Sequence, residues 1–263
     1  MNEPAPPALL ITGMHRSHTS LLALFLQAMG VSIGDALLPG DDGNPTGYGE
    51  DTEILEIQRR LVAEASAPHD AGGWPDWGWT PAERFAPPER TESVLRGYAQ
   101  RRRDHLGAGV AAWGWKEPRT TLLLEQWERV LPDAARVFVY RHPRGVQESM
   151  ERLGFAPEIS ARALDIWSFY NEAIVEALVR RPERSVLVVS SVVATAPDTL
   201  VRFVEEAIGR DLPGDPATAA RALVDPDRAW RPGEPHFGAE TPALPDRARN
   251  VLISLETLAA WRP

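Results

Sequence analysis

Four short apolar runs constrain this chain more than any other feature: residues 8–13 around LLIT, AAWGW at 111–115, ARVFVY at 135–140 and SVLVVS at 185–190. Each is short for a buried helix, and each is bounded by turn or helix signals, the signature of a buried strand. Between them lie stretches with helical periodicity. After the first comes a helix over 19–29, with Leu21, Leu22, Leu24, Phe25, Leu26 and Met29 on its apolar side. Strands separated by helices need crossover connections, which makes neighbouring strands parallel and covers both faces of the sheet. The expectation is an α/β, three-layer fold with a mainly parallel central sheet and helices on both faces.

The remaining segments fit that plan. Residues 31–50, rich in Gly, Asp and Pro, read as loop. DTEILEIQRRLVAEA reads as a helix capped by Asp51 or Thr52. Residues 66–88 hold five prolines and GWPDWGW, so regular structure cannot run far through them. Helices are expected near 89–106, at 120–130, at 158–181 and from Pro197 to Gly209, with a last one at 247–261. The proline-rich tail, 211–246, is expected to be irregular or lid-like. With 263 residues and 43% hydrophobic content, one domain over 1–263 is the simplest reading.

Composition excludes several classes. There is no cysteine, hence no disulfide and no thiolate metal site. No run reaches the roughly 20 apolar residues of a membrane span, so no stable membrane insertion is expected. The acidic, proline-rich MNEPAPPA start lacks the form of a secretory signal, which makes the cytoplasm the expected location. The net charge of −9, from 28 Lys+Arg against 37 Asp+Glu, speaks against a nucleic-acid partner. Arg101-Arg102-Arg103 reads as a solvated helix face.

The turn after the first strand is ITGMHRSHTS, residues 11–20. A strand that enters such a turn and then a helix points unpaired N–H groups and the positive helix end at one spot, which suits a phosphate. Arg16 adds a forked cation, and Ser17, Thr19 and Ser20 add hydroxyls. The turn is P-loop-like, yet the Gly-Lys-Ser/Thr ending of a nucleoside-triphosphate loop is missing. A Ser/Thr-capped helix beside an exposed arginine is the plainer alternative. In FVYRHPRGVQES, Arg141 closes a strand and Ser149 follows eight residues later in the next helix. That pair could clasp a second phosphate. Two anion sites at the ends of neighbouring strands suit a nucleotide phosphorylated at both ends of its ribose.

GMHRSHTSLL, NPTGYGED, WGWKEPRTTLLL and VYRHPRGVQES resemble, in this order, the signature segments of the sulfotransferases that use 3′-phosphoadenosine-5′-phosphosulfate (PAPS). The likeness covers about residues 8–210. It is nearest to the bacterial branch with Arg-Ser-Gly-Thr in the first loop and to tyrosylprotein-sulfotransferase-like relatives. The resemblance implies that Arg16, Ser17, His18, Thr19 and Ser20 hold the 5′-phosphosulfate and that Arg141 and Ser149 hold the 3′-phosphate. Glu50 is the implied base for the acceptor hydroxyl, with Arg16 and Lys116 as cations at the bridging and sulfuryl oxygens. No metal is called for, and 3′,5′-bisphosphoadenosine is the product. The acceptor is expected to be a neutral or cationic small-molecule or lipid-linked metabolite, as in secondary metabolism, because a net-negative protein repels polyanions.

Plainer readings stand beside these roles. Glu50 next to Asp51 suits a helix cap. Lys116 could be a snorkelling surface lysine, and Glu117 with Arg119 reads as a structural pair. His18 replaces the glycine of the resemblance: its imidazole either points outward and offers a donor or blocks the site. His15 with His18 makes a poor metal pair, having no third ligand. Trp74, Trp77 and Trp79 form either a satellite core or a wall for a flat acceptor. Where the resemblance leads one to expect Tyr-Glu-Asp, the chain has Ser190-Ser191-Val192, so no carboxylate role is carried there. Two other functions remain open: a P-loop kinase-like phosphotransferase, and a catalytically inactive nucleotide-binding homologue disabled by His18.

Overall fold

The computed structural model describes residues 5–41, 44, 46–66, 84–224 and 243–260. Its centre is a five-stranded, all-parallel sheet of β1 (Ala8–Thr12), β2 (Val31–Ser32), β3 (Ala112–Lys116), β4 (Ala135–Tyr140) and β5 (Ser185–Val189), in the order β2-β3-β1-β4-β5. β1 is central. Leu10 lies opposite Trp115 of β3 and Arg136 of β4, and Tyr140 of β4 lies opposite Val189 of β5.

Period-2 alternation sorts the strand side chains onto two faces. Leu9, Ile11, Val137, Val139, Val186 and Val188 belong to one core cluster, with Leu22, Phe25 and Leu26 of α1 (Thr19–Ala28) and Leu200 and Val204 of α9 (Pro197–Ile208). Leu10, Trp113, Trp115, Phe138 and Leu187 belong to the other. There they meet α2 (Thr52–Ala65), α3 (Thr91–Asp104), α4 (Leu124–Val130), α5 (Pro143–Arg152), α7 (Ala163–Arg180) and α11 (Asp246–Leu258). The three layers expected from sequence are therefore present. Gly114 is required where β3 meets β1, because a Cβ there would lie 1.7 Å from the Leu9 carbonyl oxygen.

Some boundaries moved. β2 falls within the segment read as loop; two residues are too few for any periodicity to show. The stretch at 120–130 opens as a 3₁₀ turn over Pro118–Leu123 before α4, and 158–181 divides into α6 (Pro157–Ala161) and α7. A four-residue helix, α8 (Val192–Thr195), follows β5, and α10 (Pro216–Leu223) occupies part of the tail expected to be irregular. Trp74, Trp77 and Trp79, and the tail from 225 to 242, lie outside the described residues.

The arginine run is a clear correction. Arg102 is buried at 1% exposure, pairs with Asp35 and donates to the Ser32 carbonyl and hydroxyl. Arg101, paired with Glu53, and Arg103, whose guanidinium lies 5.4 Å from the Trp113 ring centroid, are exposed and match the solvated face expected. Position 102 continues the buried stripe of Leu95, Tyr98 and Ala99, which decides its environment.

Candidate active site

β1 ends at Thr12, whose hydroxyl donates to the Glu117 carbonyl at 2.9 Å and meets the Thr121 hydroxyl at 2.8 Å, tying the strand end to the segment after β3. Gly13 follows where a Cβ would come within 2.2 Å of the Val139 carbonyl oxygen. The loop therefore lies hard against β4. Arg16 and His18 both take left-handed backbone (φ 66° and 60°), the region that side chains other than Asn, Asp and His seldom enter. Such residues persist only where their surroundings enforce them. His18 is the N-cap of α1 and makes no side-chain cap bond, and no acidic residue lies in the first turn. α2 differs: Asp51 accepts from the N–H groups of Glu53 and Ile54. The Ser17 hydroxyl is wholly buried and has no hydrogen-bond partner among the described residues. An orphaned buried hydroxyl is costly, so a bound water, ion or ligand oxygen would be favourable there.

The second corner touches the first. Arg16 Nε donates to Ser149 Oγ at 3.1 Å, and Arg141 Nη1 donates to the Arg16 carbonyl at 3.3 Å. Trp167 Nε1 holds the Arg141 carbonyl at 2.9 Å, and Pro143 starts α5 so that Ser149 faces inward, at 4% exposure. Burial, with the nearby charges of Arg141 and Arg152, lowers the Arg16 pKa, while Tyr48 and Asp41 oppose them. The two guanidinium groups of Arg16 and Arg141 are thus brought to one corner of the sheet. Thr19 and Ser20 stand in the first turn of α1.

On the other side of β1, the end of β3 carries Lys116, 1% exposed, whose Nζ lies 2.5 Å from Glu50 Oε1. Lys116 is therefore no snorkelling lysine, and the cap of α2 is Asp51, which leaves Glu50 for the ion pair. Behind it, Glu117 pairs with Arg119 and accepts from Gln58 Nε2, and Gln58 also accepts from Trp127 Nε1 at 2.9 Å. Burial, with a contribution from Glu50 and against Arg119, pushes the Glu117 carboxyl up to about 7. The structural pairing of Glu117 and Arg119 expected from sequence is observed. Gln58 went unremarked in the sequence, although a glutamine within the stripe Ile54, Leu55, Leu61, Val62 is a signal of a buried polar contact.

Residues 46–50 lead into α2 beside the site. Asn44 Nδ2 donates to the Gly47 carbonyl at 2.7 Å, and the Tyr48 hydroxyl donates to Asp41 at 2.8 Å. Burial and Asp41 push the Tyr48 phenol up to about 12. Tyr48 acts electrostatically on Arg16 and Glu50, so it borders both halves of the site. His18 turns toward the end of β5, where its imidazole is hydrogen-bonded to the Ser190 backbone; it does not point outward. His15 packs edge-on against Tyr170 at 5.9 Å, a different direction from His18. Among the described residues no three His, Asp or Glu side chains gather as metal ligands would, and no helix is long and apolar enough to cross a membrane.

The fold has solved counterparts. It is similar to a sulfotransferase domain from the curacin biosynthetic pathway, with 15% identity over 95% of this chain and 98% of that one and a TM-score of 0.56. It is also similar to the sulfotransferase domain of the Synechococcus PCC 7002 olefin synthase, with 22% identity over 100% and 98% and a TM-score of 0.51. A third counterpart is the sulfotransferase STF1 of Mycobacterium tuberculosis H37Rv, with 17% identity over 84% and 72% and a TM-score of 0.51. The chain has the sulfotransferase fold. No protein-family model and no curated protein sequence matches it. These counterparts are bacterial sulfotransferases, and the tyrosylprotein-like likeness rests on the sequence motifs alone.

Proposed function

We propose that the chain transfers a sulfuryl group from PAPS to a hydroxyl of a small-molecule or lipid-linked metabolite. One observation carries the reading: the loop after β1 and the corner after β4 meet through Arg16, Ser149 and Arg141, and the same loop holds a buried Ser17 hydroxyl with no hydrogen-bond partner among the described residues. These residues fit a doubly phosphorylated nucleoside. Ser17, Thr19, Ser20 and the uncapped start of α1 would hold the 5′ end, with Arg141 and Ser149 at the 3′-phosphate. PAPS supplies a sulfuryl group on a phosphate leaving group.

Glu50 serves as the base. As the acceptor oxygen bonds to sulfur and the sulfur–oxygen bond to phosphate breaks, the hydroxyl proton passes to the Glu50 carboxylate. Lys116 begins 2.5 Å from Glu50; by turning toward the transferring oxygens it frees that carboxylate and, with Arg16, meets the charge that develops there. Tyr48 and the loop that carries it border the acceptor. Two structural counterparts, from the curacin biosynthetic pathway and from an olefin synthase, support a biosynthetic metabolite as acceptor. A cytoplasmic site of action is part of the same proposal.

The test is titration of the pure chain with 3′,5′-bisphosphoadenosine and with ATP, followed by a sulfate-transfer assay on a panel of hydroxylated acceptors. Tight binding of the bisphosphate with transfer is the expected result. Preference for ATP with magnesium points to a phosphotransferase, and binding without transfer to any acceptor points to an inactive homologue.

A further inference from the structure

His18 is held in a particular tautomer. The Ser190 N–H already donates to the Tyr140 carbonyl at 2.8 Å, so the Ser190 group that meets the imidazole is its carbonyl, and Nε2 carries the hydrogen. Nδ1 is left as a lone pair, buried and without a hydrogen-bond partner among the described residues. The charged groups acting on the ring are Arg141 from the end of β4 and Arg16 from its own loop; the end of β5 contributes the Ser190 backbone. Burial first, then Arg141 and Arg16, push the imidazole down to about 3, while the bond to Ser190 opposes them. The free protein therefore carries a neutral ring in its anion pocket.

A phosphate brings only acceptor oxygens when fully ionised. An acceptor facing the Nδ1 lone pair leaves both unsatisfied, at a cost that a single proton removes. The same phosphate also neutralises the two guanidinium charges that keep that proton away. We propose that nucleotide binding is coupled to uptake of one proton at His18, whose Nδ1 becomes a donor to the bound phosphate. The proposal rests on the nucleotide-binding reading above. The sign follows from linkage. The complex holds more protons than the free chain between the free and the raised bound pKa, so affinity rises as pH falls through that window.

The test is calorimetric titration with 3′,5′-bisphosphoadenosine between pH 5.5 and 8, in two buffers of unlike ionisation enthalpy. It compares the intact chain with His18→Asn, which tolerates left-handed backbone, and with His18→Gly. The ligand's own phosphates, with a second pKa of about 6, give a background shared by all three proteins. The expected result is that the intact chain takes up as much as about one more proton than either variant. Its affinity relative to the variants then falls with rising pH by up to about tenfold per unit. A ratio flat with pH, with all three proteins binding, overturns the proton linkage alone. Absence of bisphosphate binding by the intact chain at every pH overturns the nucleotide-binding reading, and this proposal with it.

Discussion

The two sides of β1 are finished to different degrees. Toward β3, the buried charged and amide side chains around the proposed base pair with one another: Lys116 with Glu50, Glu117 with Arg119 and Gln58, Gln58 with Trp127. Toward β4, two residues sit in left-handed backbone, the N-cap of α1 makes no side-chain cap bond, and the Ser17 hydroxyl and His18 Nδ1 are buried without hydrogen-bond partners among the described residues. A satisfied network holds its own shape and needs nothing from outside. An unsatisfied pocket gains by filling. The contrast suggests that the β4 side is built around a ligand that enters ready-charged, whereas the β3 side stores its base in an ion pair until the acceptor arrives.

The largest effect expected is at Glu50. Glu50→Gln should lower sulfuryl transfer by about 10²–10⁴-fold, the range of a general base, while bisphosphate affinity stays nearly unchanged; normal turnover would reduce the β3 side to scaffolding. Arg141→Ala should weaken 3′,5′-bisphosphoadenosine by about 10–100-fold, as for a lost charged hydrogen bond of roughly 1.5–3 kcal/mol. The 3′-dephospho analogue should change little, and equal losses for both ligands would break the two-ended pocket.

Smaller changes sharpen the contrast. Gln58→Leu, which strips a donor from Glu117, should destabilise the free chain by about 1–3 kcal/mol in chemical unfolding. Ser17→Ala should leave free stability unchanged or slightly raised, because it removes an orphan, yet weaken the nucleotide by about 2–10-fold. If the two substitutions destabilise alike, the two sides do not differ. Last comes pH. The imidazoles of His18 and His142 are pushed down to about 3 and about 4, mainly by burial. Between those values and the ordinary 6.5 the unfolded chain binds more protons, so stability falls as pH falls, by at most about 1.4 kcal/mol per unit for buried His18 and by less for the half-exposed His142. Glu117, pushed up to about 7, acts in the opposite sense: its contribution is complete below about 4.5 and lost as pH rises through 7. Comparing unfolding curves with His18→Asn isolates the histidine, and identical slopes would remove it from the pocket interior.

The strands were legible because each long one is an apolar run with clear bounds, and their alternation separates two faces. β2 was not, since its place depends on Ala112 lying beside Val31 rather than on any local pattern. Arg16 could be placed in the turn after a strand, Arg141 at a strand end and Ser149 in the following helix from spacing alone. Their mutual contact could not, because it follows from β1 and β4 being neighbours. The Glu50–Lys116 pair links residues 66 apart, and nothing local announces it. His18 illustrates the same limit. Its departure from glycine was plain in the loop, but the carbonyl that orients it lies at the end of β5, two strands away in the sheet.

The position of β1 between β3 and β4 also carries stereochemistry. Under the proposed function, a nucleotide on the β4 side would send its leaving phosphate one way and an alcohol on the β3 side would arrive from the other, with the loop after β1 between them. That order would favour in-line displacement, and a sulfuryl group labelled with three oxygen isotopes should then emerge with its handedness reversed.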